Sequence, residues 1–160
     1  MQRVLISAVA LAALLATPAA ALVNSVPLPA EGITAAAMAQ LMAQHEMAPK
    51  PTQGSDGQPI INGRTAGIGF DVRFDACHSD RCRDVMFEAG WGNAKGDTKL
   101  TLERINQWNA KNNFLRGYIS GNTLWAKMDA RIARGTTANV EENIELWKQQ
   151  LRQFKSFMGF

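Results

Sequence analysis

The chain has 160 residues, 46% of them hydrophobic, with 17 basic and 14 acidic side chains and a formal net charge of +3. Its Lys and Arg are scattered among acids rather than massed, which argues against a nucleic-acid groove and a polybasic membrane patch. Two cysteines and two histidines are the whole inventory of thiol and imidazole ligands, thin material for a structural metal site with four protein ligands.

Met1-Gln2-Arg3 is a short positive start, residues 4–16 are an uncharged apolar run, and Pro18-Ala19-Ala20-Ala21 ends in small residues. This is the layout of a secretory signal peptide over residues 1–21, cleaved after Ala21. The run falls short of the ~20 residues a membrane span needs, so no membrane insertion is expected after cleavage. The product is expected to be periplasmic or secreted. It would comprise a mobile linker over residues 22–32 and one domain over residues 33–160.

Thr34 is expected to open a helix reaching about Met47, with Ala37, Met38, Leu41, Met42 and His45 facing inward. Residues 50–58 read as a polar loop, Ile60-Ile61 as a short strand, and Asn62-Gly63 as a two-residue hairpin turn. The clearest strand follows. Ile68, Phe70, Val72 and Phe74 alternate with Gly69, Asp71, Arg73 and Asp75, so one face meets a core and the other meets water. Val85, Phe87, Ala89 and Trp91 repeat the pattern, and the two strands are expected to pair antiparallel across residues 77–82.

After a loop over residues 93–98, Thr101 is the expected N-cap of a helix whose Leu102, Ile105 and Trp108 share an apolar face. Ser120-Gly121-Asn122 supplies turn chemistry between two further strands. In the second, Leu124, Ala126, Met128, Ala130 and Ile132 oppose Lys127, Asp129 and Arg131. Thr137 or Asn139 would cap a last helix striped by Val140, Ile144, Trp147, Leu151, Phe154 and Met158. That spacing fits a coiled-coil seam as well as a helix crossing a sheet, and one-faced strands in need of a cover favour the sheet. The expected fold is α+β: a largely antiparallel sheet of about five strands, helices on one face, order α-β-β-β-α-β-β-α.

Several marks in this order carry a resemblance. They are Gly-x-Gly-Phe-x-Val-x-Phe over residues 67–74, the Cys77 and Cys82 pair, Ile-Asn-x-Trp-Asn over residues 105–109, Phe114-x-Arg-Gly-Tyr118, and Leu146-Trp147 in the last helix. With them the chain resembles the YbjN domain proteins of bacteria, some of which are called sensory transduction regulators. The resemblance covers nearly all of the chain beyond the leader. It implies a fold similar to type III secretion chaperones, which bind an extended partner segment and do no chemistry. It brings no catalytic residues with it. Ile105, Asn106, Trp108 and Asn109 are its most specific element, and they read either as core and caps or as part of a recognition surface.

Other candidates have bland alternatives. Cys77 and Cys82, closely spaced in an exported chain, read as a disulfide; His78 beside them suggests a metal site but leaves the ligand set short. Asp71, Asp75, Glu88 and Asp129 contain the raw material for paired carboxylates, yet they sit beside Arg73, Lys127 and Arg131 on the wet side of their strands. His45 is a lone helical histidine without a nucleophile motif. The reading is therefore a non-enzymatic exported protein that binds another polypeptide, chaperone-like, adaptor-like or regulatory, by a sheet edge or a helix groove. The alternative is a carrier of a small apolar ligand between helices and sheet. No cofactor is expected, the partner is unnamed, and a homodimer stays open.

Overall fold

Alternation along the strands becomes a sheet with one apolar and one polar face. The computed structural model describes residues 25–92 and 102–159. It contains β1 (Ile33–Thr34), α1 (Ala35–Gln44), β2 (Lys50–Gln53), β3 (Pro59–Thr65), β4 (Ile68–His78), β5 (Arg81–Trp91), α2 (Leu102–Lys111), β6 (Arg116–Ser120), β7 (Thr123–Arg131) and α3 (Thr137–Met158). The fold is α+β. Its sheet is antiparallel in the order β2-β3-β4-β5-β7-β6, with β1 paired to the Cys82 end of β5.

Among the described residues the sheet has seven strands, against the roughly five expected. The polar stretch expected as loop begins with β2, paired from Lys50↔Asn62 to Gln53↔Pro59. All four β2 residues are exposed, so no alternation betrayed a strand held by its backbone bonds. Asn62-Gly63 is likewise not a turn. It lies within β3, and the chain reverses at Ala66 and Gly67, both at positive φ. Gly63 stands opposite Phe70, whose ring fills the space a Cβ would need. The glycine serves close packing.

The last helix covers the apolar face and is no coiled-coil seam. All six stripe residues are buried, and Trp147 lies 5.6 Å from the Phe87 ring and 5.7 Å from Phe70. Its N-cap is Thr136, one residue before Thr137 and three before Asn139, and Asn139 completes a reciprocal box with it. α1 is capped by Thr34, whose hydroxyl accepts from the Ala37 N–H at 3.1 Å. It stops at Gln44, short of Met47, with Met38 and Met42 buried.

α2 enters the same core through Ile105 and Trp108, while Leu102 is 67% exposed and does not share their burial. Trp108 packs 5.2 Å from Phe154. Thr101, the expected signal peptide and the loop expected over residues 93–98 lie outside the described residues. The stretch expected as mobile linker is tied to the start of α3. Leu28 donates to the Gly135 carbonyl at 2.8 Å, and Thr137 donates to the Val26 carbonyl at 2.9 Å.

Candidate functional site: the uncovered face of the sheet

Because α1, α2 and α3 share one core with one side of the sheet, the polar residues of the strands line up on the other. Strand register sets their rows. Asn62, Asp71, Glu88, Lys127 and Arg116 stand side by side across β3, β4, β5, β7 and β6. The next row is Ile60, Arg73, Met86 and Asp129, and beyond it lie Asp75, Asp84 and Arg131. On the other side of the first row, Trp125 stands between Gly90 and Tyr118, its ring lying over Gly90.

Among the described residues this face is hollowed in several places. A hollow of about 590 Å³ is lined by Arg73, Asp75, Asp84, Met86, Asp129 and Arg131 among others. A second, of about 600 Å³, lies over Asp71, Glu88, Gly90 and Trp125. The space between α3 and the sheet, where an apolar ligand would sit, is filled by Trp147, Phe87 and Phe154, all fully buried.

The sequence singled out Asp71, Asp75, Glu88 and Asp129, and the structure gathers them here, each with a polar partner. Arg73 Nε lies 3.4 Å from Glu88, and Lys127 Nζ lies 3.3 Å from Asp129. Asn62 donates to Asp71 at 2.6 Å, and the Ala76 N–H donates to Asp75 at 2.7 Å. Tyr118, which the sequence reading left unassigned, donates its hydroxyl to Glu88 at 2.7 Å. Its pKa is pushed up to about 12, first by burial and then by the bond to Glu88 and that carboxylate's charge. Tyr118 and Trp125 were findable, since both share the strand parity of the charged residues. The face thus carries paired charges, amides and two aromatic rings.

The remaining candidates fall elsewhere. Cys77 and Cys82 are directly opposed at the end of the β4–β5 hairpin and joined as a disulfide, so neither sulfur is a thiolate ligand beside His78. Among the described residues no group of three His, Cys, Asp or Glu is placed to hold a metal ion. His45 follows the last turn of α1 and pairs with Glu145 of α3 at 2.7 Å. Lys148 reaches both the His45 carbonyl and Glu145. The three residues fasten α1 to α3, and Glu145 is held below the usual carboxylate range, chiefly by the His45 bond.

The Ile-Asn-x-Trp-Asn helix divides into two parts. Ile105 and Trp108 are core, and the Trp108 indole N–H donates to the Leu115 carbonyl at 2.8 Å. Asn109 bonds the Gly117 backbone, while Asn106 is exposed. Three of the four residues therefore position α2 against β6.

Residues 34–160 match a family model named YbjN and described as "Putative bacterial sensory transduction regulator". The chain belongs to the YbjN family. Among the described residues, every helix, the six main-path strands, the uncovered face and the disulfide fall within the matched YbjN span. No curated protein and no solved structure matches this YbjN chain.

Proposed function

We propose that this YbjN protein is an exported regulator that acts by binding another polypeptide across the uncovered sheet face, with no chemistry of its own. The observation that carries the reading is the one-sided placement of the described helices, which leaves a hollowed row of paired charges and aromatic rings that no described segment covers. Charged pairs on such a surface give specificity and steer encounter more than they add raw affinity.

Strand addition is disfavoured at both ends of the sheet. The β6 edge is occupied by the Asn109 side chain, and the four-residue β2 edge carries Pro51, which has no N–H. Docking on the face fits this sheet better than docking on an edge. Export through the leader is consistent with a disulfide, since such bonds persist in oxidising compartments.

The test is site-specific photo-cross-linking in a periplasmic extract. A photoreactive residue at Asp129, on the face, is expected to capture a foreign polypeptide, whereas one at Gln149, exposed on α3, is not. Capture from Gln149 alone would move the site to the helical side. The amino terminus of the isolated protein, read by mass spectrometry, is expected at Leu22; an intact leader would remove the exported part of the reading.

A further inference from the structure

The charges of the uncovered face change sign across a line between two rows. On β4, Asp71 stands on one side of that line and Arg73 on the other; on β7, Lys127 and Asp129 do the same with the signs reversed. Only β5 lies between these strands, so the two columns are roughly 10 Å apart and the rows roughly 7 Å apart. A two-fold axis lying along the line, parallel to the sheet and perpendicular to its strands, carries each row of one copy onto the other row of a second. Asp71 then meets Arg73 of the second copy, and Lys127 meets its Asp129. By symmetry every such contact occurs twice.

We infer that the uncovered face pairs with a second copy of this chain, giving a face-to-face homodimer held by four ion pairs. This rests on the reading of that face as a docking surface and names one occupant for it. The side chains have room for a second partner: that of Asp129 is 72% exposed and that of Arg73 is 45% exposed. Glu88, which lacks a cation opposite it under this axis, is already held by Arg73 and Tyr118 within its own chain. Two twisted sheets pack face to face at about −30°, which keeps the residues near the axis in register better than those at the rim.

The size of the face sets the strength. Five strands and four rows span roughly 500 Å² in projection on each copy, which places the interface near the lower limit for specific association. A self-dissociation constant on the order of 10–100 µM is expected. Exposed ion pairs are screened by salt, so association should weaken by about tenfold between low and high ionic strength. The dimer would cover the face that a foreign polypeptide needs, so the two compete.

The experiment is sedimentation equilibrium of the purified protein and two variants. Asp129→Lys sets a new ammonium against Lys127 of the second copy, and Lys127→Asp sets a new carboxylate against Asp129. Each variant alone is expected to lose at least about tenfold in self-association. Mixed, they meet as two like-charged columns of opposite sign, and a heterodimer of at least wild-type affinity is expected. If near-ultraviolet circular dichroism shows that either variant has lost native packing, Asp71→Arg and Arg73→Asp form the same test on β4.

A wild-type protein that stays monomeric at low salt throughout that concentration range overturns the inference. So do variants that self-associate like wild type, or a mixture that stays monomeric. Cross-linking of a foreign polypeptide at position 129, alongside a wild-type protein that stays strictly monomeric, would defeat the homodimer and leave the docking surface standing.

Discussion

Asn109 of α2 and Gly117 of β6 are joined by two hydrogen bonds. The Asn109 amide donates to the Gly117 carbonyl at 3.0 Å, and the Gly117 N–H donates to the Asn109 side-chain oxygen at 2.9 Å. A carboxamide has the same donor and acceptor as a peptide group, so Asn109 gives the edge strand what a neighbouring strand would. Gly117 has no side chain because Phe154 and Ile105 occupy that space. One residue of α2 thus closes a sheet edge that would otherwise be a template for pairing.

Asn109→Ala is expected to destabilise the fold by about 1–3 kcal/mol, the cost of leaving partly buried backbone groups unpaired. The Gly117 amide should also exchange with solvent much faster. Chemical denaturation and amide hydrogen exchange check this. An unchanged midpoint would mean that water replaces the carboxamide without loss.

Tyr118 is the only tyrosine, so its ionisation can be followed directly by ultraviolet absorbance. A midpoint at about 12 is expected, and Glu88→Gln should bring it back towards the ordinary phenol value. A raised pKa in the folded state favours the neutral phenol. Its stabilising contribution is therefore complete below the unfolded value near ~10 and is lost as pH rises towards about 12. A wild-type midpoint near the ordinary value would refute the Tyr118–Glu88 contact.

The clasp between α1 and α3 works at the acid end. Glu145 has a lowered pKa, chiefly through the His45 bond, so its contribution is present above the ordinary carboxylate pKa and is lost as pH falls through the folded value. Its side chain is 49% exposed, and solvent screening limits the effect to ~0.2–1 kcal/mol. The thermal midpoint of wild type should fall more steeply below pH ~5 than that of Glu145→Gln. Parallel curves for the two proteins would deny the clasp any electrostatic role.

The Cys77–Cys82 bond closes a loop with a sequence separation of 5, and in the chain-entropy model so short a loop is worth only about 2 kcal/mol. Reduction should lower the unfolding free energy by about that much and leave the folded sheet intact. Two alkylated thiols in freshly isolated native protein would show that the bond does not form.

The sequence by itself determined which face of each long strand is wet, because a period of two leaves no freedom once one face is apolar. The β4–β5 pairing was legible for the same reason. The sixfold stripe of α3 fitted a coiled-coil seam equally well until one-faced strands in need of a cover were set beside it, and the Cys77–Cys82 bond was read from close spacing in a chain expected to be exported. β2 was hidden, since a strand exposed on both faces carries no hydropathy signal. Asn62-Gly63 misled because glycine suits both a turn and a site under an aromatic ring, and only Phe70 across the strand decides between them. Asn109 was visible as a motif residue, but its role waited for the fold to set it beside Gly117. The same holds for the uncovered face. Its charges could be read one strand at a time, but their rows, and the sign change between Asp71 and Arg73 and between Lys127 and Asp129, exist only through the register of strands far apart in sequence.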